Sequence, residues 1–163
     1  PRQSSAQRVN RPRSNPEPAI AEEEVPGIGL ENIEGQLTAW DYYQTLDSPA
    51  NTAFVTAFKD KYGADRVTSD PMEAAYTSLY LWKAMVEKAG SFEVDKVREA
   101  ADGVSFEAPE GTVTVNGDNN HITKTPRIGR ITPDGLIETV WEAPEAVVPD
   151  PYLESYDWAS GLS

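Results

Sequence analysis

Three clusters of polar side chains stand out in this chain of 163 residues. Glu22, Glu23 and Glu24 follow the apolar run Ala19-Ile20-Ala21 and precede Val25-Pro26-Gly27. An acidic run is ordinarily a solvated face. This one sits where α/β sheets present ligand groups, at the carboxyl end of an apolar segment, so one of the three is expected to reach a ligand, with Glu22 and Glu23 as the candidates. Thr68-Ser69-Asp70 precedes a helical pattern and supplies two hydroxyls, a carboxylate and free backbone N–H groups. That set suits a small polar solute with a carbonyl and amide protons, although Asp70 fits equally well as the cap of its own helix. Trp40, Tyr42 and Tyr43 fit either a core or the wall of a cleft, because each must place an indole N–H or a hydroxyl on some partner.

Other chemistry has little material. The chain has no cysteine, so disulfides, thiolate metal sites and thiol nucleophiles are closed. The sequence contains no G-x-S-x-G, no phosphate-binding G-x-x-x-x-G-K-[ST] and no H-E-x-x-H. The single histidine, His121, ends Asn116-Gly117-Asp118-Asn119-Asn120, which has the oxygen ligands of a calcium loop without its spacing or terminal Glu; a hairpin turn is expected and no metal. No cofactor is expected.

The charge balance narrows the partners. Asp and Glu number 27 against 14 Lys and Arg, a net charge of −13, which disfavours nucleic acid and anionic membrane surfaces. Arg2, Arg8, Arg11 and Arg13 all lie in the Pro-interrupted segment 1–18, which has almost nothing apolar to bury and reads as a disordered leader. The rest of the chain, 19–163, reads as one domain or part of one. No stretch has the run of about 18 apolar residues that spans a bilayer.

The elements that must position these residues follow from period and punctuation. Pro26, Gly27 and Gly29 predict a loop after the glutamates. Residues 35–43 alternate as a strand. Ser48-Pro49 opens a helix that ends at Gly63, with Phe54, Ala57, Phe58 and Tyr62 on one face. Asp70-Pro71-Met72-Glu73 resembles a capping box, and Met72, Ala75, Tyr76, Leu79, Trp82, Val86 and Ala89 mark the inward face of a helix over 71–89. A shorter helix is expected over 91–102 with Val94, Val97 and Ala101 facing in. Residues 112–115 and 122–124 should pair across Asn116-Gly117, and 127–132 with 136–141 across Pro133-Asp134-Gly135. The segment from 143 holds Pro144, Pro149 and Pro151 with Tyr152, Tyr156 and Trp158, and is expected to lie across another surface.

Glu34-Gly35-Gln36-Leu37-Thr38-Ala39-Trp40-Asp41-Tyr42-Tyr43-Gln44, read with Lys61-Tyr62-Gly63 and Val67-Thr68-Ser69-Asp70-Pro71-Met72-Glu73-Ala74-Ala75-Tyr76, resembles the urea-binding protein of ABC transporters. Ala21-Glu22-Glu23-Glu24, Leu81-Trp82-Lys83-Ala84, the block Val115 to His121 and Ile128-Gly129-Arg130-Ile131 extend the likeness over about residues 21–163. The resemblance implies the α/β fold of a type I periplasmic binding protein, of which this is the C-terminal portion. It also implies a two-lobed receptor outside the cytoplasmic membrane that closes on urea or a short-chain amide and passes it to a membrane permease. On that likeness the segment from Trp40 to Tyr42 lies near a crossover between lobes, and Thr68, Ser69 and Asp70 face the cleft. Surface left uncovered is expected to meet the missing N-terminal half or a second copy. Two alternatives remain: a hydrolase acting on an amide, with Glu22 to Glu24 or Asp70 as base, and an interaction fragment without a complete ligand site.

Overall fold

The computed structural model describes residues 19–151, 153 and 155–159; the leader read over 1–18 and the aromatic Tyr152 lie outside them. The first described element is a 3-10 turn, Glu22–Glu24, followed by α1 (Val25–Ile28), α2 (Leu30–Ile33), β1 (Leu37–Trp40), α3 (Pro49–Tyr62), α4 (Asp70–Ala89) and α5 (Val94–Ala100). Then come β2 (Ser105–Ala108), β3 (Gly111–Thr114), β4 (Arg127–Ile131), β5 (Ile137–Glu142) and a closing 3-10 turn, Asp157–Ala159. Both sheets are antiparallel: β1-β4-β5 in one, the hairpin β2-β3 in the other. No described helix is long and apolar enough to cross a membrane.

Two small apolar cores result. The first gathers Ile20, Val25, Ile33, Tyr43, Ile131 and Ile137 under the three-stranded sheet. Its packing requires glycine at 129, where a Cβ would stand 2.4 Å from Ile137 Cγ2 and 2.6 Å from Tyr43 Cζ, beside a bulge in the β4–β5 ladder. The second gathers Leu81, Ala101, Val104, Ala108, Val113 and Val115 where α4 meets α5 and the β2-β3 hairpin.

Several local expectations change. The predicted loop at 25–29 is instead a single-turn helix, followed by a second over 30–33: Pro26 occupies a first-turn position that needs no N–H donor, and Gly29, at φ 91°, separates the turns. The strand at 35–43 stops at Trp40. Residues 112–115 pair mainly backwards, β3 with β2 across Pro109-Glu110. The pairing with 122–124 is reduced to the bridge of Val115 with Ile122, the bond from the Thr123 N–H to Thr114 O at 2.9 Å and that from the Thr114 N–H to Thr123 Oγ1 at 3.0 Å. The intervening segment turns on itself because Asn116 Oδ1 and Asn119 Oδ1 accept from the N–H groups two residues on, at 2.9 Å each. The hairpin across Pro133-Asp134-Gly135 forms as expected. The C-terminal segment crosses the chain at Lys124, with Val147 N–H donating to Lys124 O at 2.7 Å.

The largest correction concerns α4. Its cap residue is Ser69, Asp70 is its first residue, and neither side chain caps it. The inward stripe is Glu73, Thr77 and Leu81 at four-residue steps, whereas Leu79 and Trp82, expected inside, are 62% and 47% exposed. Both stripes carry apolar residues. The partners α5 and β2 lie against the one that begins with a carboxylate. Val94, on α5, is also exposed, and Ala101 is what that helix end buries.

Candidate functional site

Between the two cores lies a buried polar seam, organised around Tyr42. The chain leaves the first sheet at Asp41 because the N–H groups of Asp41 and Tyr42 donate to Asp70 Oδ2, at 3.0 and 2.9 Å, instead of to a neighbouring strand. The Tyr42 hydroxyl lies 2.8 Å from both Asn51 Oδ1, to which it donates, and Thr68 Oγ1. Asn51 reaches the seam from the first turn of α3, where Ser48 Oγ accepts its N–H, and its amide donates to the carbonyls of Gln44 and Leu46. Gln44 closes the ring: its N–H donates to Glu22 Oε1 and its Oε1 accepts the Thr68 N–H, both at 2.8 Å. Trp40 Nε1 and Thr38 Oγ1 donate to Ile20 O, tying β1 to the segment that carries Glu22. Phe54 meets the Tyr42 ring edge-on at 6.2 Å.

The seam holds acceptors that no described residue uses. Glu22 and Glu73 are essentially unexposed, and each has one carboxylate oxygen, Oε2, with no hydrogen-bond partner among the described residues; buried Ser69 Oγ is in the same condition. The second oxygen of Glu73 accepts from Thr77 Oγ1 at 2.5 Å. Burial pushes the Glu22 carboxyl up to about 7 against the counteracting bond from Gln44. Burial, reinforced by the Glu110 carboxylate, does the same to Glu73. Asp70 is also raised by burial, with Lys124 opposing. The Tyr42 hydroxyl is raised by burial, and Glu22, Glu73 and Asp70 all add to that, so the three carboxyls act on one ring.

Of the residues singled out in the sequence, Glu22, Tyr42, Thr68, Ser69 and Asp70 come together in this seam. Trp40 is half-buried against the first core, and Glu23 points to solvent on the 3-10 turn. The reading of Asp70 as a cap gives way to a long-range acceptor across 29 residues of chain. Tyr43 is core, its hydroxyl donating to Thr38 O. Glu73, Gln44, Asn51, Glu110 and Lys124 complete the seam and were not anticipated. Glu73 had a legible signal, since it heads a stripe with Thr77 and Leu81; Gln44, Glu110 and Lys124 depend on contacts far apart in sequence, and Asn51 on a turn that brings it back to Tyr42, Gln44 and Leu46. His121 stays outside the seam, where its Nδ1 lies 2.9 Å from Asn119 O. Two surface depressions, one on α3 (about 590 Å³) and one between α4 and α5 (about 490 Å³), are lined by other residues.

Residues 16–157 match the periplasmic binding protein domain, and the chain belongs to that family. Its fold is the type I periplasmic binding protein fold, present as a partial domain of mixed helix and strand consistent with a C-terminal portion. A solute-binding protein of an ABC transporter from Rhodopseudomonas palustris HaA2, crystallised with p-hydroxybenzoic acid, superposes with a TM-score of 0.69 at 26% identity, over 84% of this chain and 38% of that one. The Leu/Ile/Val-binding protein homolog 6 of Brucella abortus is 32% identical over 104 residues, 63% of this chain and 26% of that protein. A protein of Geobacillus stearothermophilus named limonene hydroxylase is 27% identical over 126 residues, 77% of this chain and 23% of that protein. The chain thus spans about a quarter of the length of these curated relatives.

Proposed function

We propose that the chain belongs to the solute-binding component of an ABC transporter, that the seam is one wall of its ligand cleft, and that the solute is urea or a short-chain amide delivered unchanged to a membrane permease. Family and fold support the receptor role. The observation that carries the choice of solute is the set of spare buried acceptors, Glu22 Oε2, Glu73 Oε2 and Ser69 Oγ, around Tyr42. Buried acceptors without donors cost free energy, on the order of 1–3 kcal/mol each, and the N–H groups of an amide would recover it. A ligand such as p-hydroxybenzoate would bring a carboxylate toward Glu22, Asp70 and Glu73, which disfavours it here. The work of the protein would be done outside the cytoplasmic membrane, and the exposed faces of α3 and α4 would be covered by the rest of the receptor or by a second copy. Titration calorimetry on the full chain with urea, acetamide, leucine and p-hydroxybenzoate tests the assignment. Binding of urea or acetamide, with no ammonia released over hours, is expected. Heat from leucine or p-hydroxybenzoate alone overturns the solute class, and sustained ammonia release overturns the receptor role in favour of a hydrolase.

A further inference from the structure

Asp41 and Glu110 belong to different halves of the molecule, one at the exit of β1 beside the first core and the other in the β2-β3 turn beside the second, yet they are bridged twice. Lys124 Nζ lies 2.9 Å from Glu110 Oε1 and 3.4 Å from Asp41 Oδ2. Three residues on, buried Arg127 donates to the backbone carbonyls of the same two residues, to Glu110 O from Nη2 at 3.0 Å and to Asp41 O from Nη1. One cation therefore ties the side chains and the next ties the main chains. The Glu110 side chain is fully buried, whereas Lys124 and Asp41 keep partial access to solvent. Lys124 itself is anchored from both sides, its backbone paired with Val147 and its ammonium facing Glu110, Asp41 and, farther off, Asp70 and Glu73.

We propose that Lys124 is a positioning residue for the seam: by drawing the Asp41 side chain toward Glu110, it holds the β1 exit against the start of α4 so that Asp70 keeps the N–H groups of Asp41 and Tyr42. Arg127 cannot do this alone, because it holds the carbonyl of Asp41 and leaves the side chain free. Glu110 is the fixed post, since it cannot leave its buried site without an uncompensated charge. Without the ammonium, the carboxylates of Asp41, Asp70, Glu73 and Glu110 lose the cation they share, and the guanidinium of Arg127 is also engaged with Glu142 at 3.3 Å. The segment 41–42 then moves away from Asp70, and Tyr42 loses its place between Asn51 and Thr68. The role bears on solute binding through the seam proposed above, but its test needs no solute, so the two can fail separately.

The test is amide hydrogen exchange on the full chain, read at Asp41 and Tyr42 against the amides of β4 and β5. In Lys124→Met, protection at the two amides should fall about tenfold or more while β4 and β5 keep theirs, the signature of a local opening. Lys124→Arg, which can still span Asp41 and Glu110, should restore it. Lys124→Met/Glu110→Gln also removes the buried carboxylate that Lys124 pairs with and guards against a variant that fails to fold; it should still exchange fast at both amides. Unchanged protection at Asp41 and Tyr42 in Lys124→Met overturns the proposal. So does an equal loss across β4 and β5, or wild-type protection in the double variant, which would show that Lys124 serves only to neutralise Glu110.

Discussion

The first apolar core and the polar seam lie side by side and share the turn from Tyr43 to Tyr42, yet they are specified in different ways. In the core, Tyr43 packs its ring on Gly129 and Ile137 and sends one hydroxyl to Thr38 O. One residue earlier, Tyr42 is held by a hydroxyl bonded on two sides, by backbone donation to Asp70 and by an edge contact with Phe54. The core is determined by shape, and close packing leaves it little tolerance for added volume. The seam is determined by donors and acceptors, and it retains acceptors with no donor among the described residues. A core that left such groups open would only be less stable; in the seam they are the groups on which the proposed solute site rests.

The comparison breaks most severely at Gly129. Gly129→Ala puts a Cβ inside contact distance of both Ile137 and Tyr43, and we expect a loss of about 3 kcal/mol by guanidinium chloride denaturation, with no change in the pH dependence of stability. A loss under 0.5 kcal/mol would mean that the core is not packed to the density the geometry implies.

Asp70→Ala removes the acceptor of two backbone N–H groups, and we expect about 2 kcal/mol of destabilisation together with the loss of urea binding. The conservative Asp70→Asn keeps one acceptor oxygen and should recover part of the stability. If Asp70→Ala costs stability but leaves affinity unchanged in calorimetry, Asp70 fastens the β1 exit and has no part in the solute site.

Titration sharpens the contrast. Glu22 and Glu73 have folded values near 7, above the usual 4.5 of an unfolded chain, so the fold binds protons more tightly than the unfolded state does. Their contribution to stability is therefore fully present below about pH 4.5 and declines as pH rises to about 7. Urea affinity should move the opposite way over the same range, because the ionised carboxylates are the better acceptors. Glu73→Gln should flatten both profiles partly, by removing one of the two groups. Affinity that falls as the pH rises through 7 would mean that the neutral carboxyls, acting as donors, are what the solute meets.

The smallest effect on stability concerns the uncovered face of α4. Leu79→Ser and Trp82→Ser should each change the stability of the isolated chain by no more than about 0.5 kcal/mol, since both side chains are largely exposed. They should nevertheless reduce its self-association in light scattering, because exposed apolar side chains of this size are of the kind that meets a partner. A wild-type chain that remains a monodisperse monomer overturns that expectation.

Much of the frame was legible in the residues. Ser48-Pro49 and Gly63 delimit α3, Pro71 and Gly90 delimit α4, and Pro133-Asp134-Gly135 makes the β4-β5 turn, all through local backbone preferences that need no distant partner. Glu22 and the Thr68-Ser69-Asp70 run were legible as candidates because carboxylates and hydroxyls at element ends carry chemistry wherever the chain folds. What local pattern could not decide was direction. The period of α4 allows two stripes, and only its placement against α5 and β2 turned Glu73, Thr77 and Leu81 inward and left Leu79 and Trp82 outside. The same holds for Asp70, whose carboxylate had a helix end within local reach and instead accepts from the far end of β1. Spacing along a sequence determines which groups share a face or a turn. Which face is buried, and which acceptor finds which donor across tens of residues, is set by tertiary packing, because desolvation and hydrogen-bond energies depend on surroundings that exist only once the chain has folded.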